Sequence, residues 1–371
     1  MHYLKPHEIK YLQIDHNSTC NLRCPQCART VDGQTMPGLA MQELDVHHYK
    51  EFILGAPNLN FIMWCGNYGE VIVSPTFINC LQHVVENTSA KLVIATNSSA
   101  RDKSWWKELG LLLKGRGKVN FSIDGLEETN HMYRVNANFE KCMENAQAFI
   151  DAGGIARWDY LVFGHNEHQV DQAIERARKM GFRDFAIKLT NRFVNDEQYT
   201  NKKSSAENQN VVTRKSKYTL EMPRDESLIG SGKNQNQLIM EKFGNWKNYV
   251  DQTPISCKWK PNGQIFLDFE NRVWPCTWTA SGYLHYGDNT QKKQANQLFD
   301  LYGRNFNSLN EHSLAEVLAH DYFAKDFCKS WEGTQDSKVP KLFACGRTCG
   351  TDYNFSSAHG TNRRILELQN V

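Results

Sequence analysis

No apolar run in the chain approaches the roughly 18 residues that a membrane-spanning helix needs, and the mean hydropathy is −0.60. Charge of one sign is missing too. The formal net charge is +2, which gives no global pull toward nucleic acid or an anionic membrane surface. The N-terminal stretch MHYLKPHEIKYLQIDH has no apolar segment and no small-residue cleavage site, so the expected location is cytoplasmic. Internal repeats and low-complexity tracts are lacking, which excludes solenoid and propeller architectures. A disulfide framework is not expected either, because the cysteines number 11, an odd count, and the expected compartment is reducing. A chain of 371 residues buries enough core to fold without such staples, and its length suits about two domains.

What is present is an uneven distribution of those cysteines. Three lie between Cys20 and Cys27, five between Cys257 and Cys349, and none between Cys142 and Cys257. Two clusters so placed point to two metal sites. Between them the first half of the chain alternates strand and helix patterns. Strands are expected at Tyr11–Asp15, Phe61–Cys65, Leu92–Ala95, Val119–Ile123, Trp158–Phe163 and Asp184–Leu189. Phe139, Met143, Ala146 and Ile150 recur at helical spacing, as do Val170, Ile174, Ala177 and Met180. Ser74-Pro75 reads as an N-cap and first-turn proline of a helix running to Val85. Six such units imply a parallel sheet with right-handed crossovers, either an open doubly wound sheet or a partial barrel.

The character changes from about 195 to 250. The run NDEQYTNKKSSAENQNVVTRKSK is polar and locally basic through Lys202, Lys203, Arg214, Lys215 and Lys217. It reads as a linker or mobile insertion, with contact to an anionic partner as the alternative. Residues 251–371 form a smaller α+β unit, with a hairpin from Gly263 to Cys276 turning near Glu270-Asn271 and a helix from Ser313 to Ala324. The expected domains are therefore 1–194, 195–250 and 251–371.

The first cysteine cluster, Cys20-x3-Cys24-x2-Cys27, directly follows the first strand, within IDHNSTCNLRCPQCART. Three thiolates on one loop can hold three irons of a [4Fe–4S] cube and leave the fourth open. A structural zinc site wants four ligands, and no fourth Cys or His follows at zinc-finger spacing. The arrangement resembles the radical S-adenosylmethionine (SAM) superfamily, although Gln26 stands where an aromatic residue often precedes the third cysteine. The resemblance implies a partial (β/α)6 TIM-like barrel with its chemistry at the strand C-termini.

Later motifs are similar to that superfamily in the expected order. Gly66-Asn-Tyr68-Gly69-Glu70 resembles the glycine-rich motif that binds the SAM amino group, with Val71 in place of the usual proline. Glycine allows backbone to approach a ligand closely, and Glu70 can accept from an ammonium. Thr96-Asn97-Ser98 resembles Thr-Asn-Gly, with Ser98 replacing glycine. Ser122-Ile-Asp124-Gly125 and then Tyr133-Arg134 follow the fourth strand. The resemblance implies that Ser122 and Arg134 hold the SAM carboxylate and that Asp124 meets the ribose or shapes the turn. Cys65, Cys80 and Cys142 match no ligand position and read as packing residues.

The second cluster resembles SPASM/Twitch auxiliary-cluster domains. Cys257 and Cys276 stand at the ends of the hairpin and Cys345-GRT-Cys349-Gly follows. The resemblance implies one auxiliary [4Fe–4S] cluster on Cys257, Cys276, Cys345 and Cys349, with Cys328 left over. A zinc ion on the same four is the alternative. The implied activity is reductive cleavage of SAM to a 5′-deoxyadenosyl radical that abstracts a substrate hydrogen, with a flavodoxin- or ferredoxin-like reductant. The auxiliary cluster would accept an electron, bind substrate or serve structure. The substrate is a small molecule or a peptide. Only 19 residues precede Cys20, so no fused peptide-recognition domain is expected. Thr277 stands where sulfatase maturases carry an Asp base, and the ending LELQNV lacks the Gly-Gly tail of molybdenum-cofactor cyclases. No catalytic acid or base is identified. Trp158, Tyr160, Phe163, His165, Lys188 and Thr190 are candidates to line a substrate pocket. A non-catalytic iron–sulfur protein and a nucleic-acid modifier using 202–217 are the alternatives, the latter requiring salt-dependent binding.

Overall fold

A computed structural model describes residues 2–189, 210–212, 219–229, 233–285, 287, 289–352 and 363–369. Its core is a nine-stranded sheet. Six parallel strands come in chain order, β1 (Tyr11–Ile14), β2 (Phe61–Cys65), β3 (Lys91–Thr96), β4 (Gly117–Ser122), β5 (Ile155–Val162) and β6 (Asp184–Leu189). Helices α1 (Val46–Gly55), α2 (Phe77–Asn87), α3 (Lys103–Leu113), α4 (Phe139–Asp151) and α5 (Val170–Met180) lie between them. This is the expected partial (β/α)6 barrel, because β6 does not return to pair with β1. Two further elements extend the sheet on the β1 side. β7 (Gln264–Leu267) runs parallel to β1, and β8 (Val273–Trp274) pairs antiparallel with β7. On the other edge β9 (Arg363–Glu367) pairs antiparallel with β6.

The two faces of each strand differ in kind. Leu12, Ile14, Ile62, Trp64, Ile94, Val119, Phe121, Trp158 and Tyr160 point toward the helices and belong to one continuous buried cluster. Their neighbours Gln13, Met63, Cys65, Asn120, Ser122, Arg157, Asp159 and Lys188 take the opposite face, as the two-residue period requires. The outer face supplies the hydrophobic stabilisation, at about 1.5–3 kcal/mol for each large side chain fully withdrawn from water. The inner face is left to carry polar groups.

Local signals fix the helix starts. Asp45 accepts from the backbone N–H groups of His47 and His48, Asp102 from Trp105, and Asn138 from Lys141. α5 stops at Gly181, whose φ of 88° suits the left-handed C-terminal position. α2 begins at Phe77 with Thr76 as N-cap, two residues later than Ser74-Pro75 suggests. The Ser74 hydroxyl is engaged elsewhere: it donates to Glu43 Oε2 at 2.6 Å and meets His16 Nε2 at 3.1 Å. His16 packs edge-on against Tyr49 and Phe77. Burial pulls its pKa down to about 4. Protonation therefore opposes folding, and this contribution is complete above pH 6.5 and is lost as pH falls toward 4. The full loss is about 3 kcal/mol. Denaturant titration between pH 7.5 and 4.5 is expected to show it, and His16→Gln is expected to flatten the dependence.

Within the stretch read as a linker, residues 233–252 form α6 (Lys233–Phe243) and α7 (Trp246–Gln252). Trp246, Tyr249 and Val250 of α7 pack with Phe343 of α10 (Phe343–Cys349). Between them in sequence come α8 (Thr290–Tyr302) and α9 (Leu314–Ala319), and α9 is capped by the Ser313–Glu316 capping box. The basic residues Lys202, Lys203, Arg214, Lys215 and Lys217 lie outside the described residues, as does Thr190.

Candidate active site

Every expected SAM-side motif stands at the C-terminal end of a barrel strand. The chain leaves β1 and enters the loop of Cys20, Cys24 and Cys27. The loop is held by short turns, Cys27 N–H donating to the Cys24 carbonyl at 3.0 Å and Thr30 N–H to that of Cys27 at 3.0 Å. The sulfurs themselves receive donors. Leu22 N–H reaches Cys20 Sγ at 3.3 Å, Asn97 Nδ2 reaches it at 3.8 Å, and Arg134 Nη1 stands 3.9 Å from Cys24 Sγ. Such N–H···S contacts stabilise metal-bound thiolates. Burial otherwise pushes the thiols up, Cys20 to about 12 and Cys24 to about 11, so their deprotonation is tied to metal binding. Among the described residues no three cysteine sulfurs lie mutually within 4.8 Å.

The glycines after β2 are also needed for packing within the protein. A Cβ on Gly69 would lie 1.8 Å from the Asn17 carbonyl oxygen, and one on Gly66 would lie 2.1 Å from the Gly69 carbonyl oxygen. They let this loop press against the strand-to-cysteine connection. Asn17 Nδ2 donates to the Glu70 carbonyl at 3.1 Å, and Glu70 N–H donates to the Thr19 carbonyl at 2.8 Å. Arg29 completes the seam from the far end of the cysteine loop, donating to the carbonyls of Tyr68 and Ser18 at 2.8 and 3.0 Å. The Tyr68 ring packs away with Val31, Met36, Leu39 and Phe269. Gly69→Ala is expected to displace the cysteine loop, costing about 1–3 kcal/mol as an overpacking change. It should also lower iron retention after reconstitution, which iron counting beside thermal unfolding would read.

Glu70 is buried, and its Oε2 accepts from Asn97 N–H at 2.7 Å. Burial raises its carboxyl pKa, against the pull of that hydrogen bond. Asn97 in turn bonds Asn21 Oδ1 at 3.1 Å and reaches Cys20 Sγ, so Glu70, Asn97 and the cysteine loop form one connected unit. Ser98 occupies the left-handed region at φ 56°, the conformation that favours the glycine it replaces. Its hydroxyl donates to the Asn97 carbonyl at 2.8 Å, and Asn145 on α4 holds its own carbonyl at 2.8 Å. Cys142 donates to the Asn97 carbonyl at 3.5 Å, so it braces this turn as well as packing.

After β4, Ser122 is half-buried and beside Asp159 in register. Asp124 is buried and accepts from Arg134 Nε at 2.6 Å and Leu161 N–H at 2.6 Å. It holds the turn and orients Arg134. Burial raises the Asp124 carboxyl and Arg134 opposes that shift. The charges of Asp124 and Cys24 keep the guanidinium protonated. Leu22, Tyr133, Phe163 and Leu220 make an apolar cluster around Cys24, with Cys20 and Cys27 at its edge.

The second set also converges. Cys257, Cys276, Cys345 and Cys349 line one cavity with Trp259 and Trp278, and Tyr3 closes it by donating to the Pro275 carbonyl at 2.7 Å. A hydrogen bond from Cys349 pulls the Cys257 thiol down to about 6. Cys328 stands behind the cavity, with Lys260 Nζ at 3.7 Å. Arg29, Asn145 and Cys142 were not marked as supports in the sequence. Only side-chain-to-backbone contacts across distant loops reveal them.

No protein-family model matches the sequence, and no curated protein matches it. Solved structures do. SuiB of Streptococcus suis bound to its precursor peptide SuiA is 11% identical over 85% of this chain and 65% of that chain, with a TM-score of 0.50. The protein anSMEcpe with bound AdoMet is 15% identical over 91% and 90% of the two chains, with a TM-score of 0.49. BtrN in complex with AdoMet and 2-DOIA is 13% identical over 92% and 93%, with a TM-score of 0.39. The chain spans 65% of the length of SuiB, and what the two share is the fold.

Proposed function

We propose that the protein is a radical SAM enzyme with one auxiliary iron–sulfur cluster, acting on a peptide or a small molecule. One observation carries this reading. The cysteine loop, Glu70, Asn97, Asp124 and Arg134 follow four separate strands and are joined by hydrogen bonds into one assembly, in the order the superfamily motifs require. Cys20, Cys24 and Cys27 would hold a [4Fe–4S] cluster, which, once reduced and with SAM bound, would supply one-electron cleavage of SAM to methionine and a 5′-deoxyadenosyl radical able to take a substrate hydrogen. The chain's own residues position and protect. Arg134, fixed by Asp124, offers its remaining guanidinium edge to the SAM carboxylate. Glu70 receives the SAM ammonium while keeping Asn97 in place. Leu22, Tyr133 and Phe163 exclude water from the cysteine side. Cys257, Cys276, Cys345 and Cys349 form a complete four-thiolate set for the auxiliary cluster, near enough to the barrel for β7 to pair with β1. The precursor peptide bound by SuiB favours a peptide substrate among the two classes.

The test is anaerobic reconstitution with iron and sulfide, reduction by dithionite, and chromatographic measurement of 5′-deoxyadenosine from added SAM. Formation at several turnovers or a fraction of one per hour, abolished in Cys24→Ser, supports the proposal. No 5′-deoxyadenosine from protein that carries a full complement of iron would leave a non-catalytic iron–sulfur protein as the better reading.

A further inference from the structure

The inner face of the barrel carries a charged group that the SAM motifs do not use. Asp159, in the middle of β5, receives both Arg157 and Lys188. Arg157 Nε and Nη2 meet its two oxygens at 2.6 and 3.1 Å, and Lys188 Nζ stands 2.5 Å from Oδ2. Burial would raise this carboxyl, but Lys188 and Arg157 hold it below its usual range, so it stays ionised. Two cations therefore share one anion. Asp184 is paired with Arg183 and Asp124 with Arg134.

The three members differ in access. Arg157 and Asp159 side chains are 6% and 3% exposed, whereas Lys188 is 30% exposed. The Arg157 fork is closed on Asp159, and among the described residues the Lys188 ammonium bonds Asp159 alone, which leaves it further donors. The group stands directly inward of the SAM motifs, because Ser122 is the register partner of Asp159. Cys65, at the end of β2, lies within electrostatic reach of Lys188 across the lumen. Asn120, the register partner of Arg157, is buried with its Oδ1 unpaired, so the wall at this level is open to polar groups of a ligand.

We infer that the barrel lumen receives a carboxylate of the substrate on Lys188, with Asp159 and Arg157 as positioning residues. This rests on the proposed radical SAM function. A single accessible ammonium matches a monoanionic carboxylate, whereas a phosphate dianion calls for a second accessible cation or a fork. Asp159 keeps the lysine charged and aimed, and Arg157 keeps Asp159 ionised. The seat lies one row beyond Ser122 toward the strand C-termini, since Ser122 pairs with Asp159, Asp159 with Ala186 and Leu161 with Lys188.

The experiment uses the reconstituted full chain with saturating SAM and radiolabelled butyrate, a monocarboxylate, as probe, in equilibrium dialysis at fixed ionic strength. Saturable binding is expected. It should weaken at least about tenfold in Lys188→Gln and return in Lys188→Arg, and it should be unchanged in Lys103→Gln, a surface lysine paired with Glu144. Thermal unfolding and far-ultraviolet circular dichroism of Lys188→Gln should match the parent protein, showing that the fold is intact. Absence of binding, or equal binding by Lys188→Gln, overturns the inference. So does equal displacement by inorganic phosphate, which would make the seat an unselective anion site. Loss of 5′-deoxyadenosine formation in the unmodified protein would instead strike the radical SAM reading and leave the butyrate measurement standing.

Discussion

Replacing Cys20, Cys24 and Cys27 together by alanine is expected to take the reconstituted protein from about eight irons per chain to about four, with four-iron cubes at both sites. Formation of 5′-deoxyadenosine should fall to background in the same sample. The expectation of a residual four rests on the separation of the two cysteine sets. The first is supported by Asn97 and Arg134 from β3 and the segment after β4. The second is enclosed by the hairpin, α10 and Tyr3. Among the described residues no hydrogen bond of the first set's sulfurs runs to the second, so the second should load independently. The complementary variant, with Cys276 and Cys345 replaced by alanine, should also retain about four irons. A drop from about four to none in the first variant would mean that the second set holds no cluster. No loss of iron in the first variant would remove the basis for radical SAM chemistry.

The parts legible in sequence and the parts that were not have different physical origins. Phe61–Cys65 and Asp184–Leu189 match their strands to the residue, because each is a short run with one face buried under helices and with a turn at either end. The hairpin after Gly263 is likewise local, and Asn271 takes the left-handed conformation at its turn. The pairing of β7 beside β1 joins residues about 250 positions apart and leaves no local mark. Nor does the return of 363–367 to the edge of β6. In the site, the cysteines and Arg134 are legible because metal and carboxylate chemistry restricts the residue type. The Gly66–Glu70 loop is legible as a motif but not in its mechanics, since the obstacle beside Gly69 is the Asn17 carbonyl of another loop. The Asp159–Lys188 pair was hidden because Arg157, Asp159 and Lys188 become neighbours only when β5 and β6 pair in register.

Arg134→Met is expected to cost about 3–5 kcal/mol of stability, because it leaves a buried carboxylate without its cation. Asp124 is 1% exposed and would retain only the Leu161 N–H on its side-chain oxygens. The deficit has a pH signature. Burial raises the Asp124 carboxyl above its unfolded value, and removal of Arg134 raises it further. An acid with a raised folded pKa is destabilising once it must ionise, so the deficit should be greatest at pH 7 and shrink as pH falls toward 5. Urea unfolding at the two pH values measures this directly. The double variant Asp124→Asn with Arg134→Met removes both charges and should recover most of the stability at pH 7. It should not recover SAM binding. A charge-assisted hydrogen bond of roughly 1.5–3 kcal/mol corresponds to about 10- to 150-fold in affinity, and both variants should show that loss. The comparison separates two roles that one side chain combines. If the double variant regains stability and binds SAM normally, Arg134 is a partner for Asp124 alone, and the carboxylate of SAM is held elsewhere. If stability returns while SAM affinity stays low, the ion pair orients a guanidinium whose purpose is the ligand.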